Sequence, residues 1–146
     1  MASFVRKNIF TIECEILPEN FSGIVQIFSR HCGLARNYSA TDDPRVGSEA
    51  GMLLKAVSHA ADDGATYLVS TTQKSRIRIC TGVKHEFSKP VQCDIVYDED
   101  QHCFTSDFTC SLEQGEALRF VKYVSVSDSL RWDDCEAYAK KCMDDS

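Results

Sequence analysis

The sequence has no apolar run long enough to span a bilayer, no cluster of basic residues and no CxxC pair. The first absence excludes a membrane-spanning helix, which needs about 20 predominantly apolar residues. The second, with a formal net charge of −6, argues against a nucleic-acid or anionic-membrane partner, since neither attracts a net-acidic surface. The third removes the closely spaced ligands of a structural zinc site. The phosphate-cradling loops GxGxxG and GxxxxGK[ST], the GxSxG nucleophile elbow and the HExxH helix are also missing. The opening MASFVRKNIFTIEC breaks with polar residues the apolar segment that an export signal requires. A cytoplasmic location is expected.

What is present reads as β-structure. From Ile9 to Ser29 the pattern is strand, turn, strand. Phe10, Ile12, Cys14 and Ile16 share one side of the first arm, Thr11, Glu13 and Glu15 the other, which is the period-two signature of a strand. Pro18, Glu19, Asn20, Ser22 and Gly23 supply a turn, and Val25 and Ile27 form the inward pair of the second arm. The expectation is a β-hairpin. Further strands are expected over Met52–His59, Thr66–Gln73, Arg76–Val83, Val91–Tyr97, His102–Leu112 and Ala117–Ser127, with turns at Asp62-Asp63-Gly64, Asp98-Glu99-Asp100 and Gln114-Gly115-Glu116. The period then changes. Asp133 with Glu136 fits a capping box, and Cys135, Tyr138, Ala139, Cys142 and Met143 recur at helical spacing.

Residues 1–128 are therefore expected to form a mainly β, antiparallel β-sandwich, and 129–146 one C-terminal helix. The eight cysteines are read as structural thiols on apolar faces, with disulfides disfavoured where no export signal exists. His31–Cys32 and His102–Cys103 are neighbours whose side chains point to opposite strand faces, so neither pair chelates by itself. Arg76 and Arg78 stand in line on one face, a pattern suited to an anion but also to cross-strand pairing with acidic neighbours. The acidic pairs Asp42-Asp43, Asp62-Asp63 and Asp133-Asp134 sit in turns or a cap, where solvent denies them the raised pKa of a glycosidase acid. The polar connection Gly33–Ala50 reads first as a mobile surface loop and is also the most plausible ligand-facing segment. No catalytic, cofactor-binding or metal-binding residue is assigned.

The segment ILPENFSGIVQIFSR resembles the x-T-P-x-N-F-S-G-x-V-x-I-x-S stretch in the N-terminal domain of family 65 glycoside hydrolases, which include kojibiose, maltose, trehalose and nigerose phosphorylases. GEALRFVKYVSVSDS is similar to that domain's closing strand, and the helix after Asp133 resembles the start of the linker to the catalytic barrel. The resemblance implies a galactose-mutarotase-like super-sandwich, with further strands upstream and an (α/α)₆ barrel downstream. That barrel would hold the general-acid glutamate and the site for inorganic phosphate, the co-substrate of the complete enzyme. No catalytic residue carries over to this chain. A scaffold and interface role, with a homodimer and the barrel as partners, is the implied function. The alternatives are an oligomerisation module or a free-standing carbohydrate-binding sandwich that stacks a disaccharide on Tyr38, Tyr67 or Trp132.

Overall fold

The computed structural model describes residues 6–34 and 53–145. Among them are eight strands, β1 (Ile9–Ile16), β2 (Gly23–Cys32), β3 (Leu54–Asp62), β4 (Ala65–Thr72), β5 (Arg78–Phe87), β6 (Gln92–Asp98), β7 (Cys103–Leu112) and β8 (Leu118–Asp128), followed by the helix α1 (Cys135–Asp144). A five-stranded sheet runs β1-β8-β5-β4-β3 and a three-stranded sheet β2-β7-β6. Every pairing is antiparallel. The protein is mainly an antiparallel β-sandwich with one C-terminal helix.

Turn chemistry accounts for the tight connections. Asp63 and Gly64 both have positive φ, 46° and 72°, which a two-residue hairpin loop needs to match strand twist. They join Asp62 directly to Ala65. Between β7 and β8, Gly115 takes φ 79°, a conformation open to glycine because it has no Cβ.

The Ile9–Ser29 hairpin does not form. β1 pairs with β8 and β2 with β7, so the chain crosses between sheets at Leu17–Ser22. The link from β7 to β8 crosses at the same end, and the two crossings are tied together. Gly115 N–H donates to the Pro18 carbonyl (2.7 Å), Gln114 N–H to Ser22 Oγ (2.9 Å) and Gln114 Nε2 to the Glu19 carbonyl (2.8 Å). Partners for the link's polar groups thus come from a segment some 95 residues away, which no local pattern displays.

Strand alternation gives the large sheet two different faces. Tyr67, Val69, Cys80 and Ile9 face α1 and form a cluster with Cys135, Ala139, Cys142 and Met143. Gly82 lies beneath the helix because a Cβ there would meet Ser125 Oγ at 2.7 Å and Met143 Cγ at 3.2 Å. The helix is capped by Asp134, whose side chain accepts from Ala137 N–H at 2.9 Å. The N-cap is therefore one residue later than expected, the capping box of Asp133 with Glu136 does not form, and Glu136 pairs instead with Arg78. The other face of the sheet looks onto the three-stranded sheet.

Candidate functional site

Of the four histidines of the chain, His31, His85 and His102 lie between the two sheets, and His59 stands exposed at their margin on β3. His31 continues the inward set of Val25, Ile27 and Ser29 on β2, and His85 stands between Val83 and Phe87 on β5. His31 bridges the layers: its Nδ1 is 2.9 Å from Thr66 Oγ1 and its Nε2 2.7 Å from Thr81 Oγ1. Thr81 directs its own proton to the Leu68 carbonyl (3.5 Å). Nε2 therefore donates to Thr81, and Nδ1 accepts from Thr66. Burial, reinforced by the Lys122 charge, pulls the His31 pKa down to about 3. The ring is neutral.

His85 sits 2.8 Å from Ser29 Oγ, which also accepts from Lys122 Nζ at 2.9 Å. Burial and then the Lys122 charge lower its pKa to about 4. His102 Nε2 donates to the Val69 carbonyl at 3.1 Å, and its Nδ1 is paired with the Tyr97 hydroxyl. Its pKa is also lowered by burial. His59 stacks on Tyr97, with ring centroids 3.6 Å apart. Each of these rings is neutral or stacked and held by hydroxyl, carbonyl or aromatic partners. The seam joins the sheets without a carboxylate to act as acid.

Elsewhere the candidate residues disperse. Arg78 is the exposed partner of Glu136, whereas Arg76 lies in the β4–β5 turn at φ 56°. The two are not in line, because the strand begins only at Arg78. Their expected common face, with Cys80, is where α1 docks. Tyr67 is only 5% exposed and offers no stacking face to a sugar. Trp132 stacks on Tyr138 (4.2 Å, 17°) beside a cavity of about 590 Å³ that Arg6, Lys7, Asn8 and Arg131 also line. Tyr38 and the Gly33–Ala50 connection beyond Leu34 lie outside the described residues. Asp94 and Asp107 oppose each other across β6 and β7. They lie on the outward face of the small sheet, where Gln26 Nε2 donates to Asp107 at 2.7 Å. This is an open sheet face and not the cleft that glycosidic cleavage needs. Among the described residues no group of three or more His, Cys, Asp or Glu could hold a metal, and no helix is long and apolar enough to cross a membrane.

Cysteine placement departs from the expectation of free thiols in one pair. Cys32 and Cys103 are directly opposed across β2 and β7 and form a disulfide, with Cα atoms 4.1 Å apart. The hairpin reading separated β2 from β7 and hid this proximity. The other six form no disulfide: Cys80, Cys135 and Cys142 are buried, Cys14 and Cys110 half-buried, and Cys93 exposed. Burial pushes the Cys80 thiol up to about 12, so it stays protonated and inert.

The remaining feature is an uncovered face. Three strands cannot roof five, and β1 at the end of the large sheet leaves Phe10 (40% exposed) and Ile12 (48%) open on the side that faces the small sheet. Val126, on the neighbouring β8, is 41% exposed on the same face. These apolar residues are inward by alternation and outward by lack of a roof.

The sequence matches the family described as "Glycosyl hydrolase family 65, N-terminal domain" over residues 1–146. This chain belongs to that family. Over 90 residues, 61% of the chain, it is 31% identical to an uncharacterised glycosyl hydrolase of Mycobacterium tuberculosis (strain ATCC 25618 / H37Rv). It is 32% identical over 90 residues to one of Mycobacterium leprae (strain TN). The matches span 12% and 11% of those proteins' lengths. Among solved structures the fold is similar to one described as "Putative kojibiose phosphorylase from human microbiome", with a TM-score of 0.71 and 7% identity, over 97% of this chain and 18% of that one. The family 65 N-terminal domain thus has the sandwich fold in this chain, and the chain spans a small part of its relatives' lengths.

Proposed function

We propose that this chain is a non-catalytic scaffold and interface domain of a kojibiose-phosphorylase-like enzyme, in the cytoplasm, whose complete form cleaves an α-glucosidic disaccharide with inorganic phosphate. The uncovered strip of Phe10, Ile12 and Val126 carries the reading. Fully burying a side chain of this size is favourable by about 1.5–3 kcal/mol, and among the described residues β1 is the terminal strand of its sheet. Both features favour docking, either to a second copy in a homodimer or to the (α/α)₆ barrel of the complete enzyme. Cleaving a glycosidic bond requires a proton donor at the leaving oxygen and a nucleophile on the opposite face. The histidine seam supplies neither: His31, His85 and His102 have pKa values lowered by burial and are held by hydroxyl or carbonyl partners.

A second reading, sugar binding without catalysis, rests among the described residues on the Trp132–Tyr138 cavity, because Tyr67 is buried. The test is incubation of purified chain with phosphate and kojibiose, maltose, trehalose or nigerose. No glucose 1-phosphate is expected. Turnover that disappears when one carboxylate of this chain is substituted would contradict the proposal. Calorimetric titration with the same sugars decides the second reading: heat lost in Trp132→Ala would support it.

A further inference from the structure

We propose that the Cys32–Cys103 bond is a reversible thiol-exchange site, with Cys32 the attacked sulfur and an anionic small-molecule thiol, of the glutathione class, the reagent. The two halves of the bond differ in access. Cys32 is exposed, whereas Cys103 is 1% exposed. Exchange requires a thiolate to approach one sulfur in line with the bond, so access decides which sulfur is attacked. At Cys32 that approach comes from solvent, and at Cys103 it is blocked by the sheet.

The surroundings suit an anionic reagent and a buried leaving group. Arg30 lies two residues before Cys32 on the same strand face, and its Nη2 donates to Gln101 Oε1 at 2.7 Å. Asp98 opposes Cys103 from β6, and its carboxylate accepts from Gln101 N–H at 3.0 Å. Arg30 and Asp98 thus converge on Gln101, and Arg30 is the exposed cation carried by the strand that holds Cys32, where it offers a partner to an anionic thiol. The Phe104 carbonyl lies 3.5 Å from Cys103 Sγ and accepts the S–H that forms there.

The step balances as follows. A thiolate RS⁻ bonds to Cys32 Sγ while the Cys32–Cys103 bond breaks, its electron pair leaving on Cys103 Sγ, which takes a proton from water. A second RS⁻ then attacks the adduct's external sulfur, forming RSSR and releasing the Cys32 thiolate. The protein disulfide gains two electrons, and two thiols are oxidised to one disulfide. The strands survive the break. Gly33 N–H still donates to the His102 carbonyl (2.9 Å), Ser70 Oγ to the Gly33 carbonyl (2.8 Å), and the ten-residue β2–β7 ladder is intact. Reduction thus loosens this end of the sandwich without unfolding it, and oxidation restores the clasp.

The test treats the full chain, folded and oxidised, with glutathione buffers of graded ratio, followed by acid quench, alkylation and peptide mass mapping. The expected intermediate carries one glutathione on Cys32 with Cys103 alkylated, and it reverts when oxidised glutathione is restored. Closing a loop over 71 residues predicts a thermal midpoint about 10 °C lower after reduction. The Cys103→Ser variant, which removes the internal competitor, should accumulate the Cys32 adduct when exposed to oxidised glutathione. Adduct on Cys103, a bond that yields to glutathione only in denaturant, or failure of the folded chain to form the bond under oxidised glutathione would each overturn the proposal.

Discussion

The two faces of the five-stranded sheet are made by the same strands yet packed by opposite rules. Towards α1 the contacts are close and mainly apolar, Tyr67, Val69 and Cys80 meeting Ala139, Cys142 and Met143 over the floor left by Gly82, with one hydroxyl bond from Ser127 to the Cys135 carbonyl. Towards the small sheet, aromatic contacts such as Phe87–Phe108 (4.7 Å) alternate with histidine–hydroxyl bridges. A dry face loses stability through lost volume. A polar seam loses it through lost partners or gained protons. Perturbing each face separately should expose that difference.

The largest effect belongs to the dry face. Met143 is fully buried, and Met143→Ala should cost about 2–5 kcal/mol, with little dependence on pH, as read from urea unfolding at pH 7 and pH 5. Acid should act on the seam instead. His31 and His85 have folded pKa values lowered to about 3 and about 4, against an ordinary value near 6.5 when unfolded. The unfolded chain therefore binds protons first. Stability from these rings is complete above about pH 6.5 and is lost as the pH falls through the folded values. Between pH 7 and pH 5 the loss should be roughly 2–4 kcal/mol, and a flat profile would break the comparison.

His31→Leu keeps an apolar side chain of similar reach but strands the Thr66 and Thr81 hydroxyls, which should cost about 1–3 kcal/mol at pH 7. The same substitution should remove about half of the acid sensitivity, the sharper readout of the two. At the small end, Arg78→Ala breaks an ion pair with Glu136 whose side chains are 48% and 40% exposed. Solvent screening limits that loss to about 1 kcal/mol or less in thermal unfolding.

These contrasts also mark what the sequence could disclose. Strand positions, the Asp63-Gly64 turn and the helical stripe are local patterns, and they were legible. So was the burial of Cys135 and Cys142, which follows from their spacing. Pairing was not local. Reading β1 and β2 as a hairpin placed Cys32 far from Cys103 and hid the disulfide. The apolar side of β1 was correctly identified as Phe10 and Ile12 but not its exposure, because a roof two strands too narrow is a property of the whole sandwich. The histidine seam left a faint signal: His31 and His85 fall on the inward phase of their strands. Their hydroxyl partners come from other strands, so the sequence alone could not name them.

The central claim is that the open strip on β1 is an interface, and solution mass tests it most directly. Multi-angle light scattering over a concentration series should show the chain forming a dimer, with Ile12→Asp shifting it to monomer while its thermal midpoint changes little. A wild-type chain that stays monomeric at high concentration would exclude the second copy and leave the strip to the barrel, and a dimer that Ile12→Asp leaves intact would contradict the account.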